Sequence, residues 1–151
     1  MINRDNFQLI DLAVFIITNL VNLLLIGIFL SRSRGLNRVE YILGLLMVGL
    51  ILPVGLAVLL NALRKREWWT FVLPLLLIVF LVIELLFDYI LKLEFRKTAL
   101  LWPYLTIFYV AEMAMIGYSF LIKKSYGFIT LGTYLLSLLA TWYSYAKVGH
   151  G

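Results

Sequence analysis

Glu112 stands in the middle of an apolar stretch, residues 100–122, that is long enough to cross a bilayer. A charged side chain at that depth costs roughly 2.5–3.5 kcal/mol on insertion scales, so this carboxyl must be neutral, paired, or turned to a wet cavity. Such a group can carry a proton or bind a polar partner. Three further features fall at nearly the same depth, taking about 1.5 Å of rise per residue. Asn19 is near the midpoint of residues 9–30, Pro53 near that of 41–63, and Ser137 near that of 128–146. Proline has no N–H, so Pro53 leaves the carbonyl of Gly49 without its usual helical donor and predicts a kink. Glu112, Asn19 and Ser137 thus form a candidate midplane ligand or proton site, the usual location in small transport proteins. The competing interpretation is a layer of interhelical hydrogen bonds, worth about 0.6–2 kcal/mol each, in which a protonated Glu112 donates to Asn19 or to the freed Gly49 carbonyl. For Asn19, Asn22 and Ser137 the hydrogen-bonded layer is the simpler reading. For Glu112 the two compete evenly.

Glu84, Asp88, Lys92 and Arg96 recur at four-residue steps. On a continuous helix that spacing stacks them on one side, acid before base, as a ladder that brings a carboxylate pair to the membrane surface. Glu84 and Asp88 are also candidates for a ligand or proton site, since Glu84 lies about one turn from the midplane. Two carboxylates are too few for a calcium cage. A third pattern is the hydroxyl stripe of Thr130, Thr133, Ser137, Thr141 and Ser144, at three- and four-residue steps. Small hydroxyl residues permit close helix approach, so this stripe should face protein or a cavity.

Other chemistries lack their residues. The chain has no cysteine and a single histidine, His150, outside the apolar stretches. A bis-histidine haem, a zinc site and thiol catalysis are therefore not expected, and no cofactor or metal is implied. No serine has a base at its own depth, and no phosphate-binding glycine loop is present. A non-enzymatic protein is the expectation.

The elements that must position these residues follow from composition. Of 151 residues, 64% are hydrophobic and 14% charged, well below the quarter typical of soluble domains. Five stretches, 9–30, 41–63, 68–91, 100–122 and 128–146, reach spanning length, and their connections are short. The expectation is an all-α, polytopic transmembrane bundle of five membrane-spanning helices, one domain over residues 1–151. The first stretch is too long for a signal-peptide core and should remain as a helix. Trp68, Trp69, Trp102, Tyr104, Trp142 and Tyr143 cluster at the span ends, as headgroup anchors do. The net charge of +5 sits at those ends too, which suits lipid headgroups and not nucleic acid.

Five spans place six basic residues on one side and seven on the other, so charge alone does not fix orientation. The three arginines after the first span, against Arg4 before it, tilt the reading towards an N-terminus outside and a C-terminus in the cytoplasm. No internal repeat supports an inverted-repeat transporter. Two functional classes remain. One is a small transport or ligand-binding bundle centred on Glu112. The other is an accessory subunit of a homo-oligomer or larger membrane complex, docking through the hydroxyl stripe.

Overall fold

The computed structural model describes residues 4–149, and side chains from Phe7 onward; His150 lies outside the described residues. Every regular element among them is helical. In chain order these are α1 (Arg4–Ser33), α2 (Asn37–Gly49), α3 (Ile51–Leu63), α4 (Trp69–Glu84), a π-helical turn (Leu85–Ile90), a short 3-10 turn (Phe95–Lys97), α5 (Leu101–Ile122) and α6 (Lys124–Val148). Helices α2 and α3 together form one rod, so the described residues build five rods.

Four of these rods are long and apolar enough to cross a membrane: Phe7–Ser33, Asn37–Leu63, Trp69–Ile90 and Leu101–Ile122. The fifth, α6, has 25 residues and ample length, but its glycines and hydroxyl side chains dilute its hydropathy. Its outer face is nevertheless apolar, with Leu135, Leu136 and Leu139 exposed. The outer faces of the other rods are similar. Leu9, Leu12, Ile16, Leu20 and Leu23 form an exposed stripe on α1, as do Leu52, Leu56, Leu59 and Leu63 on α3 and Leu75, Val79 and Val82 on α4. An apolar belt this continuous is untenable in water and fits acyl chains. Lipid exposure is thus shared by the rods.

The rods pack as a ring. The α2–α3 rod lies between α1 and α4, α5 lies between α4 and α6, and α6 returns to α1. Phe15 stacks on Tyr126, Asn19 bonds Thr130 and Asn22 bonds Thr133, a constant offset of 111 residues. A constant offset means that α1 and α6 run parallel, as the first and fifth rods of an up-and-down bundle must. The interior holds Val14, Val21, Leu25, Met47, Val54, Leu77, Phe80, Leu81 and Met115.

Two local features answer to proline chemistry. The second rod breaks at Leu50, between Gly49 and Ile51, just before Pro53. There the Leu50 amide bonds to Met47 in a tightened turn at 3.1 Å. Pro74 lies inside α4 and removes the donor for the carbonyl of Thr70. Asn61 of α3 supplies the missing bond, its side-chain amide donating to that carbonyl at 2.9 Å.

Candidate functional site

Glu112 points inward from α5 and is 2% exposed. Its partner is Asn22 of α1, and not Asn19 or the Gly49 carbonyl. The Asn22 amide nitrogen donates to the two Glu112 oxygens at 3.0 and 3.3 Å while its oxygen accepts from the Thr133 hydroxyl at 3.0 Å.

The chain of bonds continues from Thr133. Its hydroxyl lies 2.8 Å from Asn19 Oδ1, and Asn19 Nδ2 donates to Thr130 Oγ1 at 3.2 Å. Thr130 donates to Ser119 Oγ at 2.9 Å, and Ser119 donates to the Met115 carbonyl at 3.0 Å. The series runs from α5 through α1 and α6 and back to α5 as one hydrogen-bonded layer.

The sequence-derived midplane set is therefore only partly assembled. Asn19 belongs to the layer through α6. Ser137 is buried, but its hydroxyl donates to the Tyr134 carbonyl of its own helix at 2.8 Å. Asn22 and Ser119 complete the layer instead. The hydroxyl stripe turns into the bundle, with Thr130, Ser137 and Ser144 fully buried and Thr133 and Thr141 partly so. It packs α6 within the chain, which corrects the expectation of a docking face for another subunit.

The carboxylate ladder also takes a different form. The α-helical register is lost in the π turn at Leu85–Ile90, and Lys92 adopts a positive φ of 49° that ends the rod. Lys92 consequently makes no pair with Asp88. Arg96 does, because the loop folds back: its Nη1 and Nη2 donate to the two Asp88 oxygens at 2.9 and 2.7 Å. Phe95 anchors that fold, buried against the rings of Phe87 and Tyr104 at 5.0 and 4.7 Å between centroids. Burial works against the Arg96 charge, but the paired Asp88 outweighs it and holds the guanidinium above its ordinary pKa.

Beside this pair lies a cavity of about 300 Å³, bounded by Ile28 and Arg32 of α1, Asn37, Glu40, Tyr41 and Gly44 of α2, and Glu84, Asp88, Tyr89 and Arg96. Glu84 is 7% exposed and accepts the Tyr104 hydroxyl proton at 2.6 Å. Arg32 places both Nε and Nη2 on Glu40 Oε1, at 2.8 and 2.7 Å. Tyr89 leans on α2, where a Cβ on Gly44 would collide with its hydroxyl. That hydroxyl donates to the Tyr41 carbonyl at 3.3 Å, and the two rings are 5.3 Å apart. Sequence spacing found Glu84 and Asp88. It missed Arg32, Glu40 and Tyr41, which reach the cavity from other rods, and Tyr89, which shares the π turn with Asp88.

A second polar knot closes the opposite end. Arg66 donates to both oxygens of Asp11 at 2.8 and 2.9 Å and to Asn61 Oδ1 at 2.9 Å, and Tyr118 donates to Asp11 Oδ1 at 2.8 Å. The Asp11 carboxylate raises the Arg66 pKa above its usual value. This knot ties α1, α3 and α5 to the loop between α3 and α4. Comparisons with protein-family models, characterised proteins and solved structures find no match to this chain.

Proposed function

We propose that this membrane-embedded bundle is a non-catalytic binding protein whose small polar ligand enters the cavity beside Glu84. One observation carries the reading: a space of about 300 Å³ reaches a carboxyl that is otherwise deeply buried. Pockets of this size are where small-molecule sites occur. Glu112 does not line that space, and its oxygens face Asn22. This favours a structural role for the midplane carboxyl and moves the binding role to the bundle end. Transport would further need a path past the hydrogen-bonded layer around Glu112. The orientation with the N-terminus outside puts the cavity on the cytoplasmic face.

The chain has no native cysteine, so each cysteine introduced is unique. In sealed vesicles, a charged, membrane-impermeant thiol reagent should label Asn37→Cys at the rim and Ile28→Cys inside the cavity. Leu25→Cys, buried one turn away and outside the cavity lining, should stay unlabelled. An Ile28→Cys chain as inert as the Leu25→Cys chain would overturn the reading. The vesicle side from which Asn37→Cys reacts fixes the orientation.

A further inference from the structure

We propose that the ligand of this cavity is a small organic ammonium ion, bound by Glu84 with the rings of Tyr41 and Tyr89 at the entrance. The inference rests on the binding reading above and adds the chemical class.

Charge pairing makes the selection. Arg32 spends its Nε and Nη2 on Glu40, and Arg96 spends both terminal nitrogens on Asp88 in a two-pronged pair. An anionic ligand would meet two guanidiniums whose charge a carboxylate already matches. Glu84 belongs to none of the ion pairs among the described residues, which join Arg32 to Glu40, Arg66 to Asp11, Arg96 to Asp88 and Lys97 to Glu94. The phenol of Tyr104 meets one of its oxygens and brings no charge. The lining therefore holds three carboxyl groups against two guanidiniums, and the surplus one is at the buried end.

A cation that enters must meet that surplus. Among the described residues no three carboxylates or histidines converge as a metal cage would require, which disfavours a bare hard cation. An alkylammonium suits the site better. Its N–H groups can donate to Glu84, and its apolar part can rest on Ile28 and the aromatic edge. Tyr41 and Tyr89 supply ring faces, which attract cations placed within about 6 Å of the centroid. Gly44 matters because only a residue without a side chain lets Tyr89 lie against α2 and form that edge.

The test uses the full chain in nanodiscs, with butylammonium, butyrate and potassium chloride as probes in calorimetric titrations. Butylammonium should bind saturably, and butyrate and potassium should not. Glu84→Gln should weaken butylammonium by about tenfold or more, the effect of losing one charge-assisted hydrogen bond. Glu112→Gln, which also removes a buried carboxyl, should bind as the parent does. Equal affinity in Glu84→Gln, or binding of butyrate in preference to the amine, would overturn the assignment. A second measurement stands if Glu84→Gln fails to fold: butylammonium should protect Ile28→Cys from the thiol reagent and butyrate should not. Labelling without amine protection refutes the ligand class and leaves the cavity reading intact. Absence of labelling refutes the cavity reading itself.

Discussion

Asn22 decides how the buried carboxyl of Glu112 is tolerated. Replacing Asn22 with leucine strips that carboxyl of its amide and should destabilise the bundle by about 1–3 kcal/mol, the cost of orphaning a buried polar group. Glu112→Leu in the same chain should recover part of that loss, since removing both partners leaves no unmet group. Unfolding in mixed detergent–SDS micelles measures all three variants. A loss in the double variant equal to the sum of the single losses would show that the two residues do not act together. The depth of Glu112 was readable from its place in an apolar stretch, and so was its burial. Its partner was not, because spacing along a helix gives height and says nothing about rotation. Asn19 and Asn22 differ by three residues and share one side of α1, and only the packing of α5 and α6 assigns the first to Thr130 and the second to Glu112.

Proline has opposite fates in two rods. Pro53 coincides with a visible break before it, whereas Pro74 sits inside α4 with its freed carbonyl met by Asn61. Asn61→Ala should therefore destabilise the chain by about 1–3 kcal/mol, because it orphans the Thr70 carbonyl and also removes an acceptor from Arg66. In a Pro74→Ala background the backbone N–H returns, and the cost of Asn61→Ala should shrink to the Arg66 share. A thermal-unfolding double-mutant cycle reads that difference; an unchanged cost would disprove the compensation. The sequence read 68–91 as one span, close to the observed Trp69–Ile90. It could not show that the last turn widens to π register. That local change breaks the four-residue ladder, and the cavity depends on it, since Asp88 and Tyr89 are both carried by the π turn. Such turns inside helices often mark functional positions.

The molecule is a ring that closes only when its last rod meets its first. A chain truncated after Lys123 should be cleared rapidly in cells, because Asn19 and Ser119 then lack their bridging Thr130 and the α1 face is left polar towards lipid. Changing Asn19 and Asn22 to leucine in that truncated chain should lengthen its lifetime, as followed by pulse-chase labelling. A lifetime unaffected by the leucines would mean that the amides are not what marks it. Biogenesis feels the same closure in time. The partners at Thr130 and Thr133 lie 111 residues downstream of Asn19 and Asn22. At about 5–20 residues per second of synthesis, the first helix waits roughly 6–22 s for the last. During that interval the two amides must be sheltered by water, by each other or by other membrane-embedded chains, because their own partners have not yet been made.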